Sequence, residues 1–259
     1  DSSNAKVSNK FVAAIIAGPD SSFSEKDKFI IDQFVMYGGK VIWLLDQVEA
    51  NMDSLNAGNS FTTMGIPKEL NLEDQLFNYG VRINLDLIQD LTAAPIPVVS
   101  GQYGTQAKTQ LFPWLYYPLL FSKNDHPINK NLDVIKLQFA NSIDLVGNQN
   151  LKKTVLLSTS NYTKLVKAPT RISLNMLSYK PPQEQFKRKE VPVGVLVEGK
   201  FESVFKNRLT PRVSNAGEIQ FKESSEETQM LFISDADLIR NEYNKKTNEY
   251  YALGFDKYT

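Results

Sequence analysis

Phe11-Val12-Ala13-Ala14-Ile15-Ile16 is a continuous apolar run, the pattern of a strand covered on both faces. Gly18-Pro19-Asp20 breaks it. Ser24, with Asp27 three residues on, is a helix-start signal, because each side chain can satisfy a backbone N–H that the first helical turn leaves open. Phe29, Ile30, Phe34 and Tyr37 then recur at near-helical spacing, and Gly38-Gly39 stops the helix. Val41-Ile42-Trp43-Leu44-Leu45 is a second apolar strand, ending at Asp46. A strand, a helix and a strand within about 35 residues make a βαβ unit with parallel strands. Extended along the chain, that unit predicts a layered α/β sandwich, Rossmann-like, with a mainly parallel central sheet and helices on both faces.

Beyond residue 70 the pattern is less regular. Asn71 caps a short predicted helix that runs to Tyr79 and ends at Gly80. Val81-Arg82-Ile83 reads as a strand, and residues 85–91 fit either period. Pro95-Ile96-Pro97-Val98-Val99 reads as an edge strand, since proline cannot donate to a ladder. Further strands are expected over residues 142–146, 154–158, 193–198 and 230–234, and Asp235-Ala236-Asp237 caps a short helix through Arg240. Residues 180–189, with Pro181-Pro182, and the polar stretch 206–228 read as loops. The 259 residues are expected to form a single soluble α/β domain, an excerpt of a longer membrane-anchored protein. The polar start, residues 1–10, is no signal peptide, and Ser3-Asn4-Ala5 resembles a cloning remnant. No stretch approaches the roughly 18 apolar residues that span a bilayer.

Charge and composition remove several function classes. Lys plus Arg is 29 and Asp plus Glu is 29, so no net field draws nucleic acid. There is no cysteine, which removes thiol nucleophiles, disulfides and thiolate metal sites. The single histidine, His126, precedes Pro127 in a polar stretch and reads as a loop or capping residue, so a Ser-His-Asp triad has no base. Gly147-Asn148-Gln149-Asn150-Leu151-Lys152-Lys153-Thr154 superficially suggests a phosphate loop, but Lys152 replaces the second glycine. The segment also leads into a strand rather than a helix. No catalytic, cofactor or metal residues are assigned.

Two places could meet a partner. Asp20, Asp46, Ser158, Ser160, Asp235 and Asp237 all follow expected strands, so they could gather at the carboxyl edge of the sheet, where open α/β sheets bind ligands. The simpler reading is that Asp235 or Asp237 caps a helix and the others satisfy turn amides. Phe112-Pro113-Trp114-Leu115-Tyr116-Tyr117-Pro118-Leu119-Leu120-Phe121 is uncharged and aromatic, fit either for core filling or for an exposed protein contact.

Several segments together resemble the auxiliary component of the gliding-motility ABC transporter, the GldG family. They include Ile16-Ala17-Gly18-Pro19 with Gly38-Gly39-Lys40-Val41, Gly80-Val81-Arg82-Ile83-Asn84 and Gln110-Leu111-Phe112-Pro113-Trp114. Gln138-Phe139-Ala140-Asn141-Ser142-Ile143-Asp144, Leu196-Val197-Glu198-Gly199-Lys200-Phe201 and Ser234-Asp235-Ala236-Asp237 follow in order. The resemblance implies an α/β fold related to intraflagellar-transport and glutamine-amidotransferase-like domains. It also implies a periplasmic location, anchored to the inner membrane by segments outside this chain, and transporter permease and ATPase subunits as partners. The expected function is a non-catalytic auxiliary component that contacts transporter subunits or a transported molecule, with no cofactor. The alternative is a solute-binding receptor with a ligand site near Asp20, Asp46 and Asp235.

Overall fold

The structure, a computed structural model, describes residues 11–56, 61–103, 106–121, 126–147, 149–208, 221–244 and 247–255. The opening unit forms as expected. Strand β1 (Ala13–Ala17), helix α1 (Glu25–Met36) and strand β2 (Lys40–Leu44) follow one another, and β1 pairs parallel with β2. Ser24 holds extended geometry at the helix start. Its Oγ accepts from Asp27 N at 3.2 Å, while the Asp27 carboxylate accepts from Ser24 N at 3.2 Å, closing a capping box. Gly38 takes a φ of 88°, which a side chain would resist, and lets Gly38 N reach Val35 O at 2.8 Å as the helix ends.

The other elements are mostly strands. They are β3 (Val48–Glu49), β4 (Thr62–Pro67), β5 (Val81–Ile83), β6 (Asp86–Asp90), β7 (Ala93–Tyr103), β8 (Gln106–Leu120), β9 (Ile135–Lys136) and β10 (Ile143–Leu145). After them come β11 (Lys152–Ser158), β12 (Thr163–Lys167), β13 (Thr170–Ser173), β14 (Pro192–Glu202), β15 (Ser224–Ile233), β16 (Tyr243–Asn244) and β17 (Glu249–Tyr250). Two short helices, α2 (Met52–Asn56) and α3 (Glu73–Asn78), lie between β3 and β5. The largest sheet has the order β1-β2-β15-β14-β11.

The expected mainly parallel, Rossmann-like sandwich is overturned. Of the described residues, 44% lie in strands and only 16% in helices. Among the described residues, parallel pairing is confined to β1 with β2 and β2 with β15, whereas β14 runs antiparallel to both β15 and β11. The remaining pairs, β5 with β10, β6 with β12, β4 with β3 and β13, β8 with β7 and β9, and β16 with β17, are all antiparallel. A parallel pair needs a crossover of a dozen or more residues, usually helical. Among the described residues only α1, with 12 residues, supplies one of that size. The other two helices have 5 and 6 residues and cannot cover a sheet face.

Three apolar clusters hold these sheets together. The first joins α1 to one face of the large sheet: Phe34, Val35 and Met36 pack with Trp43, Val195, Val197, Met230 and Phe232. The second lies under the β7–β8 hairpin and gathers Val48, Leu55, Leu87, Trp114, Tyr116, Tyr117 and Phe139. The third covers part of the opposite face of the large sheet with Leu156, Val193, Leu196 and Leu137. That cover stops short of β1. Ile15 is 62% exposed, so the first strand is covered on one face and not on both.

Polar side chains seal the joints. Asp32, fully buried on α1, accepts from Tyr79 Oη at 2.9 Å, Ser203 Oγ at 2.6 Å, Val204 N at 3.1 Å and Gln33 Nε2 at 3.1 Å. It thereby ties α1 to the ends of α3 and β14. Burial raises the Asp32 carboxyl above its usual range, against the lowering effect of those four hydrogen bonds.

The ambiguous segment 85–91 contains β6, whose five residues are all buried, polar ones included. Asp86 accepts from Ser142 N and Oγ at 2.9 and 2.7 Å. The loop expected over 180–189 is irregular apart from one short 3-10 turn (Gln183–Gln185) and an antiparallel bridge from Arg188 to Thr163. Of the loop expected over 206–228, residues 209–220 lie outside the described residues, as do residues 1–10. Its last five residues belong to β15 instead. The expected edge strand at 95–99 is part of β7, at the edge of the β7-β8-β9 sheet, with Pro95 opposite Pro113 beside a register shift.

Gly147 makes one sharp test of this packing. It has a φ of 70°, and a Cβ there would run into the Phe77 carbonyl oxygen. Gly147→Ala is expected to destabilise the protein by about 2–3 kcal/mol, since backbone must move to admit the methyl. A urea titration would read this as a lower midpoint with an unchanged slope.

Candidate functional site

The carboxyl ends of β1, β2 and β15 meet at one edge of the large sheet. Three of the six residues expected there come together. Ala236 N donates to Asp46 Oδ1 at 3.0 Å. Asp235 is fully buried; its Oδ2 accepts from Gln138 N at 2.5 Å and its Oδ1 from Asp237 N at 2.7 Å. Asp237 in turn accepts from Arg240 at 3.1 Å, on the short 3-10 helix Asp237–Ile239. The other three lie apart. Asp20 is exposed and accepts from Ser21 Oγ at 3.0 Å. Ser160 donates through N and Oγ to Asp90, at 2.9 and 2.6 Å, and Asp90 also accepts from Thr163 Oγ1 and Thr92 N. Ser158 is half-buried at the end of β11.

This edge is therefore packed, with its carboxylates spent on main-chain amides of the 138 and 235–237 segments. Asn141 reinforces the joint: its Oδ1 accepts from Gln47 N at 2.7 Å and its Nδ2 donates to Asp86 O at 2.5 Å. Among the described residues, no group of three or more His, Asp or Glu side chains is placed to hold a metal ion.

Burial pushes the Asp235 carboxyl well up from its usual range, and the nearby charge of Asp46 pushes it further. Burial also raises Asp46, opposed by its bond from Ala236 and by the charge of Lys68. Both groups bind a proton more tightly folded than unfolded. Their contribution is therefore full in acid and is lost as pH rises through the folded values. Asp46→Asn keeps an acceptor for Ala236 N and removes the charge that helps lift Asp235. It is expected to flatten the loss of stability as pH rises above the usual carboxylate range. Urea midpoints across that rise for both proteins check this, and identical slopes would refute it.

The remaining sequence candidates take structural roles. His126 closes a turn: its carbonyl accepts from Asn129 N and Lys130 N, and its Nδ1 from Ile128 N at 3.3 Å. The segment from Gly147 leads into β11, not a helix, and Lys153 Nζ turns back to Val146 O at 2.6 Å; Asn148 lies outside the described residues. The aromatic segment forms the second half of β8 and is mostly core. Trp114, Tyr116, Tyr117 and Leu120 are buried, and Phe139 packs against Tyr116 and Tyr117 at 5.7 and 5.5 Å. Pro113 and Phe121 are its exposed residues.

A wide opening lies elsewhere. A groove of about 1280 Å³ runs between the α3, β5 and β10 side and the wall formed by β12 and residues 188–192. Arg82 and Asp144 pair on one wall of it at 2.5 Å, and Lys167, Arg188, Lys189, Lys206 and Arg208 place five more cations on it, beside Glu73, Asp74, Asp86 and Glu202. Sequence reasoning missed this groove because its lining comes from short, well-separated segments, none with a motif of its own. No helix among the described residues is long and apolar enough to cross a membrane.

A family model described as an ABC-type uncharacterized transport system matches residues 1–259. None of the curated proteins matches. The chain is similar to a solved structure described as the mmIFT52 N-terminal domain, with 12% identity over 91% of this chain and 71% of that one. The TM-score is 0.45, a likeness too loose to bear on function.

Proposed function

We propose, from the premise that this chain belongs to the family of ABC-type uncharacterized transport systems, that it is a non-catalytic auxiliary domain of a gliding-motility transporter. It works outside the cytoplasmic membrane and contacts the permease and ATPase subunits, and segments outside this chain anchor it. The single observation that carries this reading is the family match, which runs the whole length of the sequence. The narrower assignment to the GldG family rests on the ordered segments from Ile16-Ala17-Gly18-Pro19 to Ser234-Asp235-Ala236-Asp237. Deleting the protein from a gliding bacterium tests it. The expected result is loss of gliding while the ATPase and permease stay at normal levels. Unimpaired gliding in the deletion strain would reject the assignment.

A solute receptor is the second reading, and the groove rather than the carboxyl edge favours it. The acids at that edge are engaged by main-chain amides, whereas the groove is open and carries Lys167, Arg188 and Lys189. A thermal-shift panel of anionic solutes decides: a ligand at 100 times its Kd should add about 2.7 kcal/mol of stability. A shift that survives neutralising those three cations would remove the groove from consideration.

A further inference from the structure

One edge of the large sheet is β1, and among the described residues no strand lies beyond it. Two hydrogen bonds bracket its pairing with β2: Lys40 N to Val12 O at 3.1 Å and Gly18 N to Leu44 O at 2.9 Å. In a parallel ladder this means residues 12, 14, 16 and 18 turn their backbone groups toward β2. Ala13, Ile15 and Ala17 therefore turn their N–H and C=O groups outward. The same three side chains stand on the exposed face of the sheet. Phe11 and Val12, just before the strand, are 60% and 75% exposed. Sheet edges are normally blunted by a charge, a proline or a bulge, and β1 has none of these.

We propose that a second copy of this chain covers this edge, pairing antiparallel through β1 about a two-fold axis at Ile15. The register follows from the outward groups. Ile15 faces Ile15 of the second copy, and Ala13 faces Ala17, so every outward N–H and C=O of the three residues is exchanged across the junction. The two-fold makes the contact self-complementary and closed, which an unblunted edge otherwise is not. Charge at the two ends selects this arrangement. Lys40 is exposed beside the amino end of β1, and Asp20 is exposed just past its carboxyl end. Antiparallel pairing brings the lysine end of each copy to the aspartate end of the other. Parallel pairing would set like charges together.

The chain has no cysteine, so Ile15→Cys introduces a single thiol. In the proposed register the two Cα atoms at position 15 lie about 5.5 Å apart, within the span of a disulfide. Those at position 17 lie roughly 14 Å apart, outside it. Mild oxidation is expected to give a covalent dimer from Ile15→Cys and several-fold less from Ala17→Cys. Light scattering on the unmodified chain is expected to show a species of twice 29.3 kDa as concentration rises. Ile15→Lys sets two like charges face to face and is expected to return the monomer with an unchanged circular dichroism spectrum. Monomer at every concentration, or equal disulfide yields at positions 15 and 17, would overturn the proposal. Should Ile15→Lys fail to fold, the cysteine pair still decides.

Discussion

Asp32→Ala is expected to destabilise the fold by about 3–5 kcal/mol, because it strips the acceptor from four donors in a dry site. Tyr79 Oη, Ser203 Oγ, Val204 N and Gln33 Nε2 all lose that partner at once. Tyr79 and Ser203 are themselves buried, so water does not readily replace it. The thermal midpoint should fall by roughly 10 °C. Asp32→Asn should cost clearly less, since one amide oxygen remains to accept and the charge that burial disfavours is gone. The ranking is the test. If alanine and asparagine cost the same, the hydrogen bonds are not what holds α1 to α3 and β14.

Trp43→Ala is expected to cost about 3–5 kcal/mol, the usual range for emptying a large aromatic from a core. Trp43 is fully buried on β2, and its ring stacks on Phe232 of β15 at 6.2 Å with planes 3° apart. Its loss opens a cavity where the parallel strands meet α1. Its indole Nε1 is buried without a hydrogen-bond partner. Trp43→Phe therefore sacrifices volume but no hydrogen bond, and should retain most of the stability. Chemical denaturation of the two variants checks this; a phenylalanine as damaging as alanine would show that the indole nitrogen matters after all.

The parts of this fold that were legible in the sequence are those set by local chemistry. Ser24 and Asp27 make their capping box within one helical turn, Gly38 ends the same helix, and two apolar runs flank it. The wider architecture depends on pairings that no local signal announces. Met230 lies beside Val41 across nearly the whole chain, and β14 enters the sheet antiparallel. Extending the front βαβ unit over the rest consequently gave the wrong sheet. Buried polar residues hid other strands. Ser225 and Thr228 made the start of β15 look like loop, but inside the fold Ser225 Oγ accepts from Phe201 N at 2.8 Å and Thr228 Oγ1 donates to Gly38 O at 3.1 Å. The carboxyl-edge cluster was half legible for a related reason. Six positions after strands were candidates to gather, and Asp46, Asp235 and Asp237 do, while Asp20, Ser158 and Ser160 lie apart, because the hydrogen-bond partners that decide this come from distant segments.

Membership in a transport-system family is the premise on which the functional account stands, and contact with the transporter is its central claim. Purifying the protein from its own cells in mild detergent tests that claim most directly, with the co-eluting proteins quantified against a mock purification. The account predicts that the permease and the ATPase co-elute with it in fixed proportion. Absence of both subunits from the eluate, with the protein intact and folded, would contradict it.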